Sequence, residues 1–174
     1  GSYEASAELA LATSVRFFKE SGVMAVKLEG AHIETVKKLV TSGIPVMGHL
    51  GLTPQSMHQL GGYRVQGRTD GDVIVEAAKA LQAAGAFAIV LELVPAELAA
   101  RITAELTIPT IGIGAGVNFD AQVLVWTDLM GITKKAPKLA KAYRNLRAEM
   151  LAATTEFASD VRSGQFPTEA QTFN

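Results

Sequence analysis

Helix-period and strand-period segments alternate along this chain with glycine or proline near most joints, and that alternation restricts the fold more than any other feature. An amphipathic helix is predicted from Tyr3 to Lys19, with Leu9, Ala12, Val15 and Phe18 near one stripe and Gly22 closing it. Strands are predicted from Val23 to Glu29, Ile44 to His49, Ala86 to Glu92, Ile108 to Ile113 and Val123 to Trp126. Between them, helices are predicted over residues 33–41, from Asp70 or Asp72 to Ala84, and from Pro95 to Leu106; a long one covers residues 137–164. Parallel strands need crossover connections of this kind, and the crossovers are right-handed. The expected class is α/β, with five strands in a single domain over residues 1–174.

Composition narrows the function classes. The chain has 174 residues, 48% of them hydrophobic and 16 of them glycine, which matches a globular α/β protein rather than a disordered or fibrous one. Lys+Arg 16 against Asp+Glu 17 leaves a net charge of -1, so there is no general electrostatic ground for nucleic acid or an anionic membrane as a partner. Cysteine is absent, which removes disulfides and thiolate chemistry and suits a cytoplasmic location. The most apolar run, Ala86 to Leu91, stops at Glu92 and is too short to span a bilayer.

The residues with chemical potential gather at one end of the predicted strands. Glu29, His49, Glu92 and Gly114-Ala115-Gly116 all fall at or just past a strand's C-terminal end, where parallel α/β folds place their active sites. Lys27 and Glu29 share a face, about 7 Å apart along the strand, with Val26 and Leu28 turned the other way. An ion on such a face survives when it is paired or has work to do; a solvated edge strand is the plain alternative. Glu29 and Glu92 close two different strands and fit either metal coordination or one ligand and one general base. Lys27 could grip a substrate carboxylate, form a Schiff base, or simply pair with Glu29. His49 fits the mouth of a site better than a core.

Three further features stay open. The glycines at 112, 114 and 116 lack the spacing of a dinucleotide fingerprint, and read either as a turn bringing backbone N–H groups to a ligand or as a tight corner. The basic run Lys134, Lys135, Lys138, Lys141, Arg144 and Arg147 reads as a solvated helix face, with an anionic substrate tail as the alternative. The irregular stretch from Leu50 to Gly71 is long enough to be functional.

Five stretches together resemble the ketopantoate hydroxymethyltransferase family of pantothenate biosynthesis. They are Val26-Lys27-Leu28-Glu29-Gly30, the run from Gly48 to Ser56, the run from Gly61 to Arg68, Leu91-Glu92-Leu93-Val94-Pro95, and the run from Ile111 to Gly116. The resemblance extends from about Gly1 to about Phe173. It implies a (β/α)8 barrel enzyme that transfers a hydroxymethyl group from methylenetetrahydrofolate to 3-methyl-2-oxobutanoate with a bound Mg²⁺. By resemblance Lys27 and His49 bind the keto acid, Glu29 belongs to the metal site, and Glu92 is the proton acceptor. The implied assembly is a homo-oligomer.

The same resemblance implies that the chain is incomplete. It matches strands 4 to 8 of the barrel; three earlier strands, with two aspartate ligands for the metal and a serine, are expected upstream of residue 1. The isolated chain is then expected to be inactive. Ala121 departs from the family pattern, and so does Ala170-Gln171-Thr172; the second departure weakens any role for the terminal segment. Two rival expectations are a Schiff-base aldolase using Lys27 and a non-catalytic piece that only assembles with other chains.

Overall fold

The computed structural model describes residues 1–173. Residue contacts divide them into two compact units, Gly1–Val123 and the segment from Leu124 onward.

The first unit alternates as its periodicity requires. Helix α1 spans Ala7–Ser21, where the Ser6 hydroxyl accepts from the Leu9 N–H at 3.1 Å and left-handed Gly22 ends the helix. Strand β1 is Val26–Lys27, α2 is Ile33–Thr41 and β2 is Val46–Gly51. Helix α3 is Gly71–Ala83, β3 is Ala88–Glu92, α4 is Ala96–Glu105, β4 is Thr110–Ile113 and β5 is Ala121–Gln122. A single 3₁₀ turn, Pro54–Ser56, interrupts the irregular stretch after β2.

All four strand pairings are parallel, and the sheet order is β1-β2-β3-β4-β5. The order never reverses. With right-handed crossovers, an unreversed order sends successive helices to the same face of the sheet. The core agrees: Val36 and Leu39 of α2, Val75, Ala78 and Leu81 of α3, and Ala99 and Ile102 of α4 cluster with Leu28, Val46, Leu50, Ile89 and Leu91. These strand residues occupy one face by the period-2 rule and the register, in which Val46 sits beside Val26 and Leu50 beside Leu91. Lys27, Glu29, Met47, His49, Val90, Glu92 and Ile113 therefore belong to the opposite face.

Several elements differ from expectation in extent. The buried stripe of α1 is Ala10 and Ser14, with Leu11, Val15 and Phe18 partly buried; Leu9 and Ala12 face outward. Strand β1 is confined to two residues, although Leu28 and Gly30 still donate to Met47 and His49 carbonyls at 3.1 and 2.9 Å. The last strand lies at 121–122 rather than 123–126, continued only by the Val123 N–H bonded to the Gly112 carbonyl.

The second unit contains α5, Trp126–Leu129, and α6, Leu146–Ser163. The predicted helix over 137–164 thus begins nine residues later than expected. The reason is in the hydrogen bonds: Tyr143, Leu146 and Arg147 donate their N–H groups to the carbonyls of Leu129, Met130 and Gly131, so this backbone closes onto the end of α5. The Asn145 side chain then caps α6 by accepting from the Ala148 N–H. Lys134 to Arg144 consequently lie on an exposed irregular segment, and only Arg147 of the basic run is helical. Among the described residues, no helix is long and apolar enough to cross a membrane.

Candidate functional site

Four of the sequence-predicted residues meet on the sheet face opposite the helices. Lys27 and Glu29 leave the end of β1, His49 stands on β2, and Glu92 closes β3. Lys27 Nζ lies 3.1 Å from His49 Nδ1 and 3.6 Å from Glu29 Oε1. Glu29 Oε1 is 4.0 Å from the same Nδ1, and His49 Nε2 is 3.2 Å from Glu92 Oε2. His49 and Glu29 are buried and Glu92 nearly so, whereas Lys27 is 42% exposed and gives the cluster its opening to solvent.

The register accounts for this meeting. Lys27 is level with Met47, His49 with Val90, Gly51 with Glu92, and Glu92 with Ile113. Residues level with one another in a parallel sheet point to the same face, so four polar ends rise among Val90 and Ile113. In such surroundings each charge needs a partner. The cluster supplies them, with one shortfall: Glu92 Oε2 is close to His49 Nε2 but off the direction of a ring N–H, leaving that nitrogen without an aligned partner.

Backbone devices hold the end of β3. Leu93 has φ 48, a left-handed conformation that a branched side chain adopts only when its neighbours impose it. Its N–H donates to the Ile113 carbonyl at 3.0 Å and its carbonyl accepts from the Gln66 N–H at 2.8 Å. The Glu92 carbonyl accepts from the Leu52 N–H at 2.8 Å. Gly51, at φ 87, has to be glycine here, because a Cβ would run into that Glu92 carbonyl oxygen. Glu92 is thereby fixed from both sides.

A family model described as ketopantoate hydroxymethyltransferase matches residues 1–169. The chain belongs to the ketopantoate hydroxymethyltransferase family. A 3-methyl-2-oxobutanoate hydroxymethyltransferase of Saccharopolyspora erythraea is 56% identical over 177 residues, covering 99% of this chain and 60% of that protein. The enzymes of the same name from Thermobifida fusca and Acidothermus cellulolyticus are 52% and 56% identical, covering 99% of this chain and 63% and 65% of their own lengths. The chain spans about three fifths of the length of the curated relatives it matches. Among solved structures, a phosphoenolpyruvate phosphomutase from Streptomyces platensis subsp. rosaceus covers 91% of this chain and 58% of its own at 15% identity and a TM-score of 0.47.

Within this family member, two residues that sequence reasoning did not single out support Glu29. The Tyr3 hydroxyl accepts from the Glu29 backbone N–H at 3.1 Å and donates to Gln55 Oε1 at 3.0 Å. The Gln55 backbone N–H in turn donates to Glu29 Oε2 at 2.9 Å. Tyr3 is buried, and burial pushes its phenol above the ordinary value, partly offset by the Glu29 backbone hydrogen bond, so it stays a neutral donor. Gln55 lay within one of the family stretches; Tyr3 had no sequence signal beyond being an aromatic residue ahead of a helix.

Magnesium was expected from the resemblance, and the donors can be tested against it. Mg²⁺ demands near-octahedral oxygen ligation and keeps several waters. Among the described residues no group of three His, Asp or Glu side chains converges as a metal site. Both oxygens of Glu29 face donors, Lys27 Nζ on one side and the Gln55 N–H on the other. These residues do not fit a magnesium site by themselves. The glycine corner after β4 is packed rather than open: Ala115 is part of the core, and a Cβ on Gly116 would come within 2.7 Å of the Ala96 Cβ.

Proposed function

We propose that this chain carries the acid–base half of a 3-methyl-2-oxobutanoate hydroxymethyltransferase, producing 2-dehydropantoate from the keto acid and methylenetetrahydrofolate. The observation that carries the reading is the convergence of Lys27, His49 and Glu92 on one face, with Glu92 fixed by its backbone and Lys27 open to solvent. Family membership over residues 1–169 supports it.

In this reading the Lys27 ammonium takes the carboxylate of the keto acid, and His49 forms the wall between that anion and Glu92. The hydrogen on C3 is acidified by the neighbouring carbonyl, and Glu92 accepts it as general base. The resulting enolate carbon forms the new bond to the methylene carbon of the folate; water supplies the hydroxyl, and tetrahydrofolate leaves. The folate carries the difficult carbon and the protein orients it. Glu29 is read as the one carboxylate this chain contributes near a metal position, the other ligands lying outside it.

The five parallel strands are read as an arc of a (β/α)8 barrel, matching its strands 4 to 8, in a cytoplasmic homo-oligomer. The unreversed strand order and the charged face opposite the core helices support an arc over a doubly wound sheet. The chain on its own is read as inactive. The Schiff-base alternative gains nothing from the geometry, because Lys27 is 42% exposed between Glu29 and His49 rather than sunk in an apolar pocket.

Deuterium exchange at C3 of 3-methyl-2-oxobutanoate tests the central step. In the chain joined to the remainder of the family length, exchange is expected, and Glu92→Gln reduces it by roughly 10²- to 10⁴-fold. Undiminished exchange in that variant would remove Glu92 as the base.

A further inference from the structure

His49 Nε2 is the one buried side-chain nitrogen or oxygen among the described residues that lacks an aligned hydrogen-bond partner. Its side chain is only 5% exposed, so water is a poor substitute. The other ring nitrogen, Nδ1, is 3.1 Å from Lys27 Nζ. An ammonium has three donors and no lone pair, so this contact is a hydrogen bond only when Nδ1 is the bare acceptor nitrogen. The single proton of the neutral ring then sits on Nε2, and the acceptor beside it is Glu92 Oε2 at 3.2 Å.

We propose that Lys27 locks His49 in its Nε2–H form and that His49, through that hydrogen, is a positioning residue for Glu92. The Lys27 ammonium donates to Nδ1, and the Nε2–H so fixed lies 3.2 Å from Glu92 Oε2, off the N–H axis, so that a turn of the carboxylate brings that oxygen onto it. What Glu92 does with the contact rests on the reading of Glu92 as base; the donation from Lys27 to His49 does not. The arrangement also makes Lys27 more than a grip for an anion, because it decides which end of the imidazole can donate. Removing it leaves the Glu29 Oε1 carboxylate oxygen, 4.0 Å from Nδ1, as the charged group on that side, and a carboxylate attracts a proton to Nδ1 instead.

Long-range ¹H–¹⁵N correlation spectra of the histidine-labelled chain, at neutral pH and without substrate, test the proposal. Three histidines are present, and His49→Gln identifies the His49 ring signals. The expected native pattern is a protonated Nε2 and a bare Nδ1. In Lys27→Met the ratio of Nε2–H to Nδ1–H form falls about tenfold, the loss of one charge-assisted hydrogen bond. Lys27→Arg, which also donates without accepting, restores the native ratio. In Glu92→Leu the Nε2 proton signal shifts. A native ring that is protonated on Nδ1, or a ratio unmoved between Lys27→Met and Lys27→Arg, overturns the lock. A Nε2 proton indifferent to Glu92→Leu overturns the link to Glu92. If Lys27→Met fails to fold, the native and Lys27→Arg spectra still decide the tautomer. Loss of C3 exchange activity would sink the enzymatic reading and leave these spectra unchanged, so the two failures are separable.

Discussion

The two faces of the parallel sheet are made from alternate residues of the same strands and obey opposite rules. Leu91 is fully buried against the helices, while Glu92, the next residue, turns to the other side and meets His49. On the helix-covered face, Val46, Ile89 and Leu91 have no exposed surface and the packing is apolar. On the opposite face Lys27, Glu29, His49 and Glu92 lie within 3.1 to 4.0 Å of one another in a chain of contacts. One face is built by removing apolar area from water. The other is built by satisfying polar groups among apolar neighbours, which specifies geometry more than it stabilises.

The sharpest way to break this contrast is to truncate neighbours that point opposite ways. Leu91→Ala is expected to lower unfolding free energy by about 2–5 kcal/mol, a transfer loss plus the cavity left between sheet and helices. Glu92→Gln, one residue on, is expected to move the urea midpoint by less than about 1 kcal/mol equivalent. Equal losses in the two variants would mean that the faces do not divide their work as described.

A smaller effect sharpens the same comparison at the edge of the site. Tyr3→Phe removes the acceptor of the buried Glu29 N–H and the donor to Gln55. Leaving a buried N–H without a partner costs about 1–3 kcal/mol. Gln55→Ala shares the network, so the double variant should lose less than the sum of the two single losses in urea unfolding. Strict additivity would show that Tyr3 and Gln55 act independently of one another.

Much of this contrast was legible in the residues. Period-2 alternation already set Lys27 and Glu29 on one face and Val26 and Leu28 on the other, and strand-end position already grouped Glu29, His49 and Glu92. Four of the five strands were placed with the right core but started two or three residues early, while the ends at Glu92 and Ile113 are the observed ones; strand limits fade where regular pairing gives way to isolated bonds, such as those of Leu28 and Gly30 beyond β1. Periodicity could not reveal that Tyr143, Leu146 and Arg147 bond back to the end of α5 and delay α6, since that depends on where a chain reversal lands. Nor could it reveal Tyr3, whose role is a single hydroxyl meeting a backbone N–H 26 residues away.

The smallest expected effect tests how the apolar face tolerates its buried hydroxyl. Thr110 has no exposed surface, and its backbone N–H and hydroxyl both donate to Asp120 Oδ2, at 2.8 and 3.0 Å. The backbone N–H of Thr110, and then its hydroxyl, hold the Asp120 carboxyl below the ordinary aspartate value of 3.8. A carboxyl with a depressed folded-state value stabilises the fold above its unfolded value and loses that contribution as pH falls through the folded one. Asp120→Asn keeps an acceptor oxygen but no charge, so its deficit relative to the native chain should be present at about pH 6 and shrink toward about pH 3. Urea midpoints of both proteins across that range measure it. A deficit that stays constant would mean that Asp120 acts through shape alone, and that the helix-covered face needs no ionic partner for Thr110.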